Sequence, residues 1–320
     1  MVLTLRLRVH YLFRAFLLAV LSLYIIHLND TDSLHYYLAP SMQKLLLLCP
    51  VPLLFIAFGM AWHSVTGNSD KICDCDHPLP LGFLKNVNVY GLFAVPLILG
   101  LLLPDQALGS DMAAKKGIIY SAPDPDIRDK LADVKLSSPI AENPTGVPPR
   151  ASSPVQGTLD ELFIAKDKYS TEFAELAKRL YLQPVIEVNS SIFSETIGAI
   201  DMYKQPFLHK NITLQGFVYR EEDMKPDTFA LSRFLMMCCP ADAIPFGVLV
   251  QSDNASTFTK DTWVEIKGTI QATTIDGKET LQIKAGQIKT IEQPVSPYIF
   301  TNPDSVAEFD KLHANEKYNQ

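Results

Sequence analysis

The sequence contains no glycine-rich phosphate loop, no Ser/His/Asp set and no pair of carboxylates placed for acid and base work. No catalytic constellation is therefore visible, and the reading is of a protein that is not an enzyme. The Gly-Val-Pro-Pro-Arg run ending at Arg150 lacks the pattern of a phosphate loop. A basic excess is also missing. The chain has 28 Lys plus Arg against 35 Asp plus Glu, a net charge of −7. From Ile212 to Glu292 the balance is eight basic to eleven acidic residues. Nucleic-acid binding draws most of its affinity from a basic surface, so no nucleic-acid partner is expected. No small-residue cleavage pattern follows the first apolar run, only Leu28-Asn29-Asp30. That argues for a retained anchor rather than a cleaved signal peptide.

Apolar residues are abundant, and they are concentrated before Asp105. Tyr11 to Leu28 holds one charge, Arg14, while Leu45 to Trp62 and Val87 to Leu103 hold none. Each block is about the length that crosses a hydrocarbon core as a helix, roughly 17–25 residues. Three transmembrane helices are predicted in residues 1–104, the third the shortest, and lipid is an expected partner. Pro50, Pro52 and Pro96 fall inside these spans, which implies packing against neighbouring helices. Arg6, Arg8 and Arg14 precede or open the first span, and Asn29 to Ser41 has no Lys or Arg. The N-terminus is thus expected in the cytoplasm, which puts everything after the third span outside.

The loop between the second and third spans carries Cys73-Asp74-Cys75-Asp76-His77. Cys73, Cys75 and His77, with Asp74 and Asp76, could ligate a divalent ion such as zinc. The spacing is tighter than that of a structural zinc knuckle and no second Cys pair is nearby, so the other reading is a short polar loop.

Beyond Asp105 the composition changes. Pro123, Pro125, Pro139, Pro144, Pro148, Pro149 and Pro154 lie among Ser, Ala, Asp and Lys without apolar periodicity. Residues 105–158 are predicted to be an extended tether. Residues 159–210 form a helical lead-in, with Phe173, Leu176, Ala177 and Leu180 at helical spacing and Phe193, Ile197 and Ile200 on one later face. Residues 211–300 read as five strands, Ile212–Arg220, Phe229–Met237, Phe246–Gln251, Trp263–Ala272 and Thr280–Ile291, with Asp276-Gly277 as a hairpin turn. Gly216 and Gly268 inside strands suit close approach or a bulge in a curved sheet. A small barrel of the OB type is expected, with a β-sandwich as the alternative and a tail at 301–320. Phe217, Tyr219, Phe229 and Phe234 read as barrel core rather than as a base-stacking platform.

Cys238-Cys239-Pro240-Ala241-Asp242 interrupts the apolar run from Phe229 to Val250. Adjacent residues of a regular strand point to opposite faces, so two cysteines acting together require a distortion there. They could then form a vicinal disulfide or bind a metal; the bland alternative is two small buried hydrophobes. Arg220, Arg233 and Asp242 could form an ion pair or bind an anionic group of a ligand or partner.

The run Gly216-Phe217-Val218-Tyr219-Arg220, then Arg233-Phe234, then Cys238 to Ala243, resembles the hallmark of the YcgQ-type membrane proteins. The likeness extends to the arrangement of spans, a His- or Cys-rich loop, a variable linker and a C-terminal β domain. It implies the small subunit of a two-component permease, paired with a larger polytopic permease subunit in the cell membrane. The alternative is a membrane-tethered metal or redox sensor that does not transport. Such loops are often rich in His, whereas Cys73 to His77 supplies one His and two thiols.

Overall fold

The computed structural model describes residues 2–66, 83–103, 105–120, 159–165, 167–168, 170–275 and 277–318. They form two compact units, one of Met1–Ala107 and Cys238–Pro240, the other of Leu108–Met237 and Ala241–Gln320.

The first unit is helical: α1 (Val2–Asp30), α2 (Pro40–Leu46), α3 (Pro50–Thr66) and α4 (Phe83–Leu102). Pro40 and Pro50 stand at the first positions of α2 and α3, where the missing N–H costs nothing, so Pro50 starts a helix rather than kinking one. Pro96 alone lies within α4. Ser22 Oγ donates to Pro50 O at 3.0 Å and Ser64 Oγ to Arg8 O at 2.9 Å. Early residues of α1 thus meet late residues of α3, and the two run antiparallel. His10 Nδ1 and the Tyr90 hydroxyl are 2.8 Å apart, and Tyr24 packs against Gly100, so α4 runs parallel to α1.

Arg8–Asp30 and Pro40–Thr66 are long and apolar enough to cross a membrane, and only 17% and 11% of their apolar windows are buried within the protein. A core helix would be mostly buried, whereas these turn Phe55 (79% exposed) and their neighbours outward, as lipid-facing helices do. Of the three expected spans, these two meet the length and composition; Asn86–Leu102 of α4 is apolar but shorter.

The second unit comprises α5 (Ser110–Lys116), α6 (Ser170–Leu182), β1 (Val185–Glu187), a 3-10 turn (Ser190–Ile192), α7 (Phe193–Met202) and α8 (Lys204–Phe207). They are followed by β2 (Asn211–Tyr219), β3 (Thr228–Leu235), β4 (Ile244–Gln251), β5 (Trp263–Ile275), β6 (Lys278–Thr290), β7 (Tyr298–Ile299) and α9 (Ser305–Tyr318). Strands β2, β3, β4, β6 and β5 pair in that order, and β5 returns to β2, closing a five-stranded barrel. All these pairs are antiparallel except β4 with β6. The five strands lie where the alternating apolar runs place them, although β3 stops at Leu235 rather than Met237.

Closure requires strong curvature, and a bulge supplies part of it. The β5/β6 register shifts between Lys267 and Gly268. A Cβ on Gly268 would lie 2.5 Å from Lys284 O, and one on Gly216 would lie 2.7 Å from Ser232 O. Backbones cross too closely at both points for a side chain.

Inside, Leu214, Leu231, Val248, Ile266 and Ile283 from the strands join Leu176, Leu180, Phe193 and Ile197 of α6 and α7 in one core. Of the aromatics expected in the barrel core, Phe229 is there, whereas Phe217, Tyr219 and Phe234 alternate onto the other face of their strands and are buried outside the core cluster, all at 3% exposure or less. Phe217 stacks on Phe234 with ring centroids 5.6 Å apart. Rings packed this way are closed to a base.

Two stretches are more structured than their composition suggests. Residues 105–158 were expected to be a tether throughout, yet α5 lies within them and Ile119 bridges to Phe246 on β4. Residues 121–158 lie outside the described residues. In the expected tail, α9 is capped by α6: Glu172 Oε1 accepts from Val306 N at 2.9 Å and from Ser305 Oγ at 3.2 Å.

Glu195 on α7 is buried, its carboxylate accepting from Asn302 N at 2.8 Å and Ser194 Oγ at 3.0 Å. Burial raises its pKa, outweighing those hydrogen bonds. An acid whose folded pKa is raised binds its proton more tightly when folded, so its contribution is most favourable at low pH. That contribution is lost as pH rises from the ordinary glutamate range through the raised value. Glu195→Gln is therefore expected to stabilise the protein at pH 7 and to have little benefit near pH 4. Denaturant midpoints of the two proteins at both pH values measure this; an equal effect at both would rule it out.

Candidate functional site: the loop between β3 and β4

The loop begins where β3 leaves the ladder. Leu235 is the last residue paired with β4, opposite Ile244, and Met236 N then donates to Ile299 O of β7 at 2.9 Å. Met237 N donates to Asp242 Oδ1 at 3.0 Å, so the aspartate ties the returning limb to the departing one. Pro240 lies at the turn, where it can give no N–H to a ladder. Lys116, the last residue of α5, donates through Nζ to Ala241 O at 2.9 Å and Ala243 O at 2.6 Å. A cation thus holds the carbonyls on both sides of Asp242.

These constraints bring together the side chains of Cys238, Cys239 and Asp242, three residues within a run of five. Cys238 and Cys239 are not joined in a disulfide; the first is exposed and the second half-buried, with their sulfurs 3.6 Å apart. One ligand atom each of Cys238, Cys239 and Asp242 lies within 4.8 Å of the others. The strand alternation that would separate neighbouring side chains does not apply, because β3 has ended three residues before Cys238. Packing does not account for the pair either, since neither thiol is buried.

The two arginines are placed elsewhere. Arg220 lies at the other end of β3, donating to Thr228 O at 2.9 Å and to Ala255 O, with its guanidinium 5.6 Å from the Phe229 ring centre. Arg233 is 1% exposed. It donates to Ser190 Oγ at 2.5 Å, Ser296 O at 2.6 Å and Pro297 O at 3.4 Å, and lies 5.8 Å and 5.5 Å from the ring centres of Phe193 and Trp263. Among the described residues neither arginine is in an ion pair, so the expected pairing with Asp242 is not what holds the loop. Burial pulls Arg233 down to about 10, still far above neutrality, so the cation remains and is solvated by neutral oxygens and ring faces.

Cys73, Asp74, Cys75, Asp76 and His77 lie outside the described residues. Lys116 has no sequence signal because it lies within the run that reads as a tether; no local pattern marks a lysine that will cap a loop 125 residues later.

The DUF1980 N-terminal domain matches residues 13–119 and the DUF1980 C-terminal domain matches residues 163–301. Among curated proteins, the UPF0703 protein YcgQ of Bacillus subtilis is 24% identical over 220 residues, 68% of this chain and 70% of the relative. A protein of Streptococcus mutans named "Putative two-component membrane permease complex subunit" is 25% identical over 214 residues, 65% of this chain and 72% of the relative. No solved structure matches the chain. With both DUF1980 domains present in order, and a relative named YcgQ that aligns across two thirds of the chain, the protein belongs to the YcgQ-type family of membrane proteins.

Proposed function

We propose that this chain is the accessory subunit of a two-component permease, anchored by three membrane spans, with its barrel on the extracytoplasmic side. It works by binding: the barrel presents a solute or metal ion to a larger polytopic subunit, or receives one from it. The observation that carries this reading is the helical unit, in which α1, α3 and α4 alternate in direction and leave apolar faces uncovered. Alternation is what three successive crossings require, and the S. mutans relative's name supplies the permease. Arg6, Arg8 and Arg14, which precede or open the first apolar span, support a cytoplasmic N-terminus.

The barrel is of OB type on this reading. Numbered within the barrel, its strands pair 1-2-3-5-4-1 with strands 3 and 5 parallel, which is the order of that fold. Its acidic balance keeps the ligand in a class other than nucleic acid.

Two measurements test the proposal. Alkaline phosphatase fused after Gln320 is expected to be active and fused at Ser69 to be silent; the reverse would overturn the orientation. Tagged chain purified from detergent-solubilised membranes is expected to bring a polytopic membrane protein with it. A chain that purifies alone under gentle detergent would favour a tethered sensor over a permease subunit.

A further inference from the structure

We propose that Cys238, Cys239 and Asp242 form a binding site for a soft or borderline metal ion, Zn²⁺ being the type case, and that this ion is the cargo the barrel hands on. The second half rests on the permease reading; the first does not.

The geometry comes first. A tetrahedral zinc with sulfur ligands at about 2.3 Å has its sulfurs about 3.8 Å apart, and a sulfur and a carboxylate oxygen about 3.6 Å apart. The two thiols of the loop stand at 3.6 Å, and the Asp242 carboxylate lies within 4.8 Å of both. A disulfide needs about 2.05 Å. The sulfurs are thus near the separation of two ligands on one ion, and capture requires movement of side chains only.

The frame around the ligands is fixed. Asp242 is oriented through its hydrogen bond from Met237 N, and Lys116 holds the carbonyls on both sides of it. Groups that hold a metal-ligating carboxylate in place are what tune such a site. Thiolates select zinc or copper(I) over magnesium or calcium, so the ligand set names the class of ion.

Three ligands leave a position open. Structural zinc sites close all four with protein groups, whereas an open site takes a water or an incoming ligand and exchanges its ion readily. Cys238 is exposed, so the open side is reachable from solvent. The charge balance is simple: a divalent ion held by two thiolates and one carboxylate makes a site of net charge −1, and any protons the thiols carry, up to two, are released on binding. Affinity therefore falls as pH falls.

Reduced full-length protein in detergent, titrated with Co²⁺, tests the site. Because Cys73 and Cys75 are thiols too, the titration uses the Cys73→Ala, Cys75→Ala chain as its reference. That chain is expected to keep thiolate-to-cobalt charge-transfer absorption, reversed by Zn²⁺, with proton release in weakly buffered solution. Adding Cys238→Ala and Cys239→Ala should remove the absorption. Asp242→Asn should keep a weaker band and bind at least about tenfold less tightly, tenfold being the lower bound for a disturbed outer shell alone. Circular dichroism and thermal melting establish that each variant keeps its barrel, and Asp242→Asn preserves an oxygen to accept from Met237 N. Bands unchanged by the cysteine substitutions, or absent from the Cys73, Cys75 reference, would overturn the proposal. Partner co-purification by the Cys238→Ala, Cys239→Ala chain separates the two readings, since the subunit function can stand while the metal site fails.

Discussion

Replacing Gly247 by alanine is expected to lower the stability of the barrel by about 3 kcal/mol or more, at or beyond the upper end of ordinary overpacking. Gly247 pairs with Ser232 across the β3/β4 ladder, and a Cβ there would lie 2.4 Å from Leu231 O and 3.1 Å from Ser232 Cα. Both obstacles are backbone, so no rotamer change relieves them. Movement away from β3 is opposed on the other side, where Gly247 N donates to Ile119 O at 3.0 Å and Ile119 N to Pro245 O at 2.9 Å. The strand is held between two neighbours and has nowhere to shift. Denaturant unfolding of the full-length protein, followed by near-ultraviolet dichroism, measures the loss. A cost below about 1 kcal/mol would mean that β3 and β4 separate more easily than this packing allows.

Arg233→Ala is expected to cost about 3–5 kcal/mol, the range for deleting a large buried side chain. The guanidinium ties two separate segments to β3: Ser190 before α7, and Ser296 and Pro297 before β7. Its removal leaves a cavity between Phe193 and Trp263 and strands acceptors that cost roughly 1–3 kcal/mol each when unsatisfied. Arg233→Met separates the contributions. It restores most of the stem's packing and removes a desolvated charge, so it should be less damaging than alanine, although the carbonyls of Ser296 and Pro297 still lose their donor. Arg233→Lys keeps the charge but cannot fork to three acceptors, and should also destabilise. If Arg233 instead served an anionic ligand, all three variants would fold with normal stability and lose only binding. Unfolding midpoints of the four proteins distinguish these outcomes.

Much of the fold was legible from sequence because it is set by local periodicity. Apolar runs without charge can be solvated only by lipid or by protein, and their lengths identified the helices of the first unit. Alternation of apolar residues located all five barrel strands, and Gly216 and Gly268 marked where the sheet must curve. The third apolar block is the shortest of the three in the sequence, and α4 is the helix that falls short by apolar length.

The candidate site was legible in composition but not in arrangement. Cys238-Cys239-Pro240-Ala241-Asp242 is conspicuous in any reading, yet whether the thiols cooperate depends on where β3 ends. That point is set by β7, which takes Met236 N, and by Asp242, which takes Met237 N. Arg233 looked available for an ion pair because sequence shows its charge and not its surroundings; ring faces and carbonyls from distant segments solvate it instead.

Local sequence specified the apolar helices, the five barrel strands, the points where the sheet must curve and the residues of unusual chemistry, but not α5, α9 or the short strands β1 and β7. Tertiary structure alone decided the barrel's closure through β2 with β3 and the parallel pairing of β4 with β6, the capping of the cysteine loop by Lys116, and the neutral pocket of Arg233. The division has a physical cause. Periodicity and turn chemistry act over a few neighbouring residues and leave a local pattern, whereas contacts between residues 60 or 120 positions apart arise only when burial of the shared core brings them together.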